Sequence, residues 1–165
     1  MNRLARAETW LALAALALAV LACLYLMISL FGANEVCYGI SSRSVLCTPL
    51  KPGTDDFTQA AGRLLFVLVT VLVLYAGAAL GAWGHERAKE SSTRSAALGL
   101  LCTCTFFILG FTIPAVSGPG FFLVPSTALV SVASVIGLYR LFQEWRDQDR
   151  QAKLAKEAEQ PTSGD

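Results

Sequence analysis

The chain has 165 residues, of which 55% are apolar and only 15% charged, against roughly one quarter charged in a soluble domain. Thirteen basic and twelve acidic residues leave a net charge of +1, which excludes bulk electrostatic attraction to nucleic acid. The composition is that of an integral membrane protein, in which the placement of basic residues says more than their sum.

Residues 1–8, MNRLARAE, form a short basic head with Arg3 and Arg6. Residues 9–31 then hold twenty-three positions without a charge. A helix of that length crosses a hydrocarbon core of about 30 Å at about 1.5 Å per residue. The run exceeds the about 7–15 apolar residues of a signal peptide, and Phe31 stands where a cleavage site wants a small residue, so it is read as a retained first span. Residues 32–63 form a polar outer loop holding Cys37, Cys47, Pro49, Pro52 and Gly53. Residues 64–84, again uncharged for twenty-one positions, are the second span, and residues 85–95 a short charged cytoplasmic loop.

From Ser95 to Tyr139 forty-five residues carry no charge, and a straight helix of that length would run about 68 Å, twice the membrane. The chain must fold back. Gly and Pro cluster at 114–120, which gives a third span at 96–116, an outer turn at 117–120 and a fourth span at 121–142. Pro114 and Pro125 fall near the ends facing this turn, where a missing backbone donor is best tolerated. The tail, 143–165, reads as a helical continuation to about Glu159, supported by an Asp149/Lys153 pair, followed by a disordered QPTSGD.

Orientation follows from the basic residues. With four spans, Arg3, Arg6, Arg87, Lys89, Arg94, Arg140, Arg146, Arg150, Lys153 and Lys156 share one side, and Arg43, Lys51 and Arg63 the other. Ten against three places both termini in the cytoplasm of a multi-pass cell-membrane protein. Trp10, Trp83 and Trp145 at the cytoplasmic ends agree with this.

Helices in lipid associate through close backbone approach, so small residues at three- and four-residue spacing mark contact faces. Such stripes are Ala12, Ala15, Ala19, Ala22 and Ser29 in the first span, Gly77 and Gly81 in the second, Gly99, Thr103 and Gly110 in the third, and Thr127, Ser131 and Ser134 in the fourth. Gly77/Gly81 is read as intrachain packing, with a homodimer face as the alternative.

The most specific chemical feature is the Cys37/Cys47 pair. If 36–40 and 44–48 pair antiparallel across Ser41-Ser42-Arg43, with Ile40 opposite Ser44, the two cysteines face each other at a disulfide's reach. On the oxidising side this is a structural staple. The alternative, a redox pair, resembles four-helix membrane thiol oxidoreductases in span count only: those use close Cys-x-x-Cys pairs, and the second outer turn here has no cysteine. Cys23, Cys102 and Cys104 read as small apolar residues, Cys102 and Cys104 pointing about 200° apart on a helix. His85, a lone histidine at a charged membrane edge, reads as solvated rather than as a metal ligand. No Asp, Glu, Lys, Arg or His falls within the uncharged runs that make up these spans, which argues against ion or proton transport by a single chain. Leu138, Leu141, Phe142 and Trp145 continue an apolar stripe past the fourth span, read as burial at the headgroup boundary.

Four spans, cytoplasmic ends, a longer first outer loop with Cys37 and Cys47, and TQAAGRLL before the second span resemble the plan of claudin-like tetraspan proteins. The Trp-Gly-Leu-Trp run of those proteins is absent, FGANEV standing before Cys37, so the resemblance carries over no functional residue. The expectation is an all-α polytopic membrane protein: an antiparallel four-helix transmembrane bundle with a short disulfide-closed outer loop. No catalytic residue, cofactor or metal is implied. Its partners would be the lipid bilayer, another membrane protein or a second copy, and its function structural or accessory rather than enzymatic. A small oligomeric channel or transporter is the alternative.

Overall fold

The computed structural model describes residues 2–32, 35–41, 44–49, 55–115 and 119–159. Helix α1 (Asn2–Gly32) leads into a hairpin of β1 (Glu35–Ser41) and β2 (Ser44–Pro49), followed by α2 (Asp55–Arg87) and α3 (Ser91–Ala115). A 3-10 turn (Pro119–Leu123) then precedes α4 (Val124–Glu159). All four α-helices are long and apolar enough to cross a membrane, compatible with a small multi-pass membrane protein. Three of them, at 31, 33 and 36 residues, outrun the bilayer core, since about 20 residues suffice to span it. The basic head is not a separate segment, because α1 already begins at Asn2.

One sequence rule builds the bundle. Buried positions recur at alternating three- and four-residue steps in every helix: Ala5, Glu8, Ala12, Ala15, Ala19 and Ala22 in α1, and Leu68, Val71, Tyr75, Ala78, Ala82 and His85 in α2. In α3 they are Leu98, Leu101, Thr105, Ile108 and Thr112, and in α4 Ser126, Val130, Ala133 and Gly137. A mean step of 3.5 residues keeps one seam facing its neighbours along the whole helix, as in coiled coils and most four-helix bundles. Each helix packs on its chain neighbours, and α4 closes back on α1.

Seam chemistry differs between helices. On α1 it is nearly all alanine, which lets α2 and α4 approach closely. On α2, glycine makes the closest approach: a Cβ on Gly81 would lie 2.8 Å from Ala97 O and Leu101 N of α3, and one on Gly77 would lie 2.8 Å from Cys104 Sγ. Bulky Leu101, Ile108, Val130 and Tyr75, all at most 1% exposed, fill the space between the helices. Between α2 and α3 the close contacts pair Gly84 with Ala97, Gly81 with Leu101 and Gly77 with Cys104.

Three expectations change. The third-span stripe faces outward: Gly99, Thr103 and Gly110 are exposed, with open space around both glycines, and the larger Leu98, Leu101 and Ile108 face inward. Ser29 is likewise exposed. The outer loop contains two strands, so the described chain is not all-helical outside its spans. Their register opposes Cys37 to Cys47 but shifts between Gly39 and Ser41, so that Ser41, not Ile40, pairs with Ser44. No disulfide bond is present among the described residues, and the Cys37 and Cys47 side chains lie outside them, so the loop is a hairpin rather than a demonstrated disulfide-closed loop. The outer turn at 117–120 lies partly outside the described residues and the final QPTSGD wholly so.

Candidate functional site: a buried carboxylate, imidazole and guanidinium

The seams of α1, α2 and α4 end in ionisable residues, and these meet. Glu8 stands one turn before Ala12, His85 one turn after Ala82, and Arg140 one turn after Gly137. Glu8 and His85 have no exposed surface, and the Arg140 side chain is only 10% exposed. Glu8 Oε1 lies 2.8 Å from His85 Nδ1, and Arg140 Nη1 donates to Glu8 Oε2 at 2.6 Å. Gly137 makes room for the carboxylate, since a Cβ there would sit 3.0 Å from Glu8 Oε1 and 2.6 Å from Leu98 Cδ1.

Around this centre the other helix ends are tied by polar bonds. The Thr9 hydroxyl donates to Glu86 Oε2 at 2.6 Å, a second link between α1 and α2. Arg94, one turn before Leu98 on the α3 seam, donates to Glu144 Oε2 at 2.8 Å and to Ala88 O at 3.0 Å, which joins α3 to α4 and to the α2–α3 connection. Two polar atoms in this region are buried without a hydrogen-bond partner, His85 Nε2 and Arg94 Nε. Beside Arg94, a cavity of about 600 Å³ opens between α3 and α4, lined by Ser91, Ser95, Leu138, Phe142 and Trp145 among others.

Chemically, the centre is a carboxylate sharing its two oxygens between a permanent cation and an imidazole. The guanidinium balances the carboxylate's charge, and the imidazole supplies a further donor through Nδ1–H. That leaves the imidazole's second nitrogen facing no partner. Among the described residues no three His, Cys, Asp or Glu side chains come together as metal ligands. Cys23, Cys102 and Cys104 are free thiols, two of them buried and Cys102 partly so.

A second polar layer lies toward the hairpin end. Tyr75 Oη is 2.9 Å from both Ser126 Oγ and Thr127 Oγ1, and Thr112 Oγ1 is 3.1 Å from Thr127 Oγ1. Between the layers, Thr105 Oγ1 meets Ser134 Oγ at 2.7 Å. These hydroxyls also reach backbone carbonyls of the preceding turn, such as Leu101 O and Leu123 O, which serves polar groups that lipid cannot.

His85, expected from sequence to be solvated, is instead fully buried, and Glu8 and Arg140 join it inside the bundle. Glu8, His85 and Arg140 flank the uncharged runs, yet the seam periodicity continues through them, and that periodicity was the signal available. Gly77 and Gly81 both lie against α3, and Cys37 and Cys47 sit in the hairpin, so the structure does not bring either pair into the ionic centre. Compared with models of protein families, with curated proteins and with solved structures, the chain matches none.

Proposed function

We propose that the chain is a non-enzymatic membrane protein whose work is contact, with another membrane protein, with lipid or with a second copy, made by an antiparallel four-span bundle with both termini in the cytoplasm. The observation that carries this is the filled interior. Leu101, Ile108, Val130 and Tyr75 are buried between the helices, and the buried hydroxyls bond to one another and to backbone, which supports a packed scaffold with an apolar exterior, open only at the α3–α4 cavity among the described residues. The ten-to-three division of basic residues supports the orientation. The Cys37/Cys47 register supports a disulfide across the hairpin, since directly opposed residues of antiparallel strands have Cα atoms about 4.5–5.5 Å apart, within a disulfide's range.

The test is extraction of the tagged chain from its native membrane in mild detergent, with crosslinking before lysis. A defined crosslinked partner or homo-oligomer that co-purifies is the expected result. A chain that extracts alone and monomeric at native expression overturns the reading. Flux through reconstituted vesicles would replace it with the oligomeric channel.

A further inference from the structure

We infer that Glu8, His85 and Arg140 form a proton-operated latch, which holds α1 against α2 and α4 while His85 carries one proton and releases α1 when the ring takes a second. The inference concerns the inside of the bundle and does not depend on what the bundle contacts.

The groups facing the imidazole come from all four helices. From α1 come the Glu8 carboxylate and, beside it, Thr9, which is engaged with Glu86 of α2. From α4 comes Arg140, bonded to the same carboxylate, and from α3 the apolar Leu98, packed toward Gly137 next to Glu8, with the Cys102 thiol within electrostatic reach of Glu8. Arg94 and Glu144, the charges that join α3 to α4 at this end, pair with each other at 2.8 Å. With one proton on Nδ1, Glu8, His85 and Arg140 therefore sum to zero charge, and the Nδ1–H and Nη1–H donors both have Glu8 oxygens as acceptors.

A second proton changes both balances. It leaves a net positive charge among groups with almost no exposure, and it makes Nε2, which has no partner in the bundle, a buried donor without an acceptor. The Glu8 carboxylate takes up only part of the change: its contact with Nδ1 becomes an ion pair, but its single charge is already balanced by Arg140 at 2.6 Å, so one positive charge stays in excess. The strain is relieved only by admitting water to the ring. The contacts that stand in the way are those of Glu8 and Thr9, which tie α1 to its neighbours at this end. Below them the α1 seam is the buried alanines Ala12, Ala15, Ala19 and Ala22, so the opening stops there. Histidine operates such switches because its charge changes within the range that cells reach.

His85 is the single histidine of the chain, so isotope labelling of histidine reads this ring alone. The full chain in lipid nanodiscs is followed from about pH 8 to about pH 5 by ¹⁵N imidazole NMR and by amide exchange across residues 3–12, corrected for the intrinsic pH dependence of exchange. The expected result is a neutral ring protonated on Nδ1 at the alkaline end. As the ring gains its second proton, exchange in residues 3–12 should rise by about tenfold or more while Ala15–Ala22 stay protected. In His85→Asn, whose amide keeps a donor toward Glu8 but takes no second proton, exchange should stay slow throughout. The latch is overturned if the ring stays singly protonated over the range, if it becomes doubly protonated with α1 exchange unchanged, or if His85→Asn opens in parallel with the native chain. Should His85→Asn fail to fold, the two measurements on the native chain decide the matter together.

Discussion

A carboxylate buried between a guanidinium and an imidazole costs desolvation whether or not its partners are kept, so removing one partner is worse than removing the pair. Arg140→Met should destabilise the bundle by about 3–5 kcal/mol, because Glu8 is then left as an unbalanced charge with no exposed surface. The double variant Glu8→Gln with Arg140→Met should recover much of that loss. Denaturant unfolding in mixed micelles checks this through a double-mutant cycle, and additive losses would contradict the arrangement. Glycines offer a sharper contrast of position. Gly81→Ala drives a methyl against the α3 backbone at 2.8 Å and should cost about 1–3 kcal/mol, whereas Gly99→Ala points into open space and should change stability by less than about 1 kcal/mol. The same unfolding assay ranks the two, and equal losses would mean that α3 is turned otherwise.

At the scale of elements, how much could be read from residues alone depended on what distinguishes one helix face from another. The spans were legible because long uncharged runs have one physical solution in a bilayer, and the continuation of α4 was legible through Asp149 and Lys153, which pair at 3.1 Å. The hairpin pairing of Cys37 with Cys47 was legible as a register. The facing of α3 was not. In lipid both sides of a helix are apolar, so polarity says nothing of orientation, and the small residues Gly99, Thr103 and Gly110 gave a plausible but wrong seam. Glu8 and His85 escape a sequence reading for a related reason: a charge is read as ending a span, although α1 continues helical back to Asn2 and carries Glu8 on its buried stripe, while Arg140, inside the fourth span, counts there only toward orientation. The hydroxyl layer is the element-level counterpart of that ionic centre. Tyr75→Phe should remove the contacts to Ser126 and Thr127 and cost about 0.5–1.5 kcal/mol, the usual range for interhelical hydrogen bonds in membranes. Thermal unfolding in micelles should detect it, with helix content unchanged.

For the whole molecule, the two polar layers make opposite ends of the bundle unequal. One end, where α1 begins and the seams of α2 and α4 finish, is tied by Glu8, His85, Arg140, Arg94 and Glu144; the other is tied by hydroxyls and by the Tyr25 and Phe122 rings, 4.8 Å apart. Charged ties suit the end that borders water, and hydroxyl ties the part that lies within oil, because hydroxyls can fall back on their own helix's carbonyls. The ionic centre brings Glu8, His85 and Arg140 together, and the proposed antiparallel topology predicts that the segments around them face the same side of the membrane. Single cysteines at Lys89, Ala155 and Arg43, introduced with the five native cysteines replaced by serine, test this in intact cells with a membrane-impermeant thiol reagent. Arg43→Cys should react at once, and Lys89→Cys and Ala155→Cys only after permeabilisation, with the charged end inside. If position 89 and position 155 react from opposite sides, α3 and α4 do not form a returning pair, Arg140 cannot stand level with His85, and the contact between Arg140 and Glu8 is lost along with the bundle that it closes.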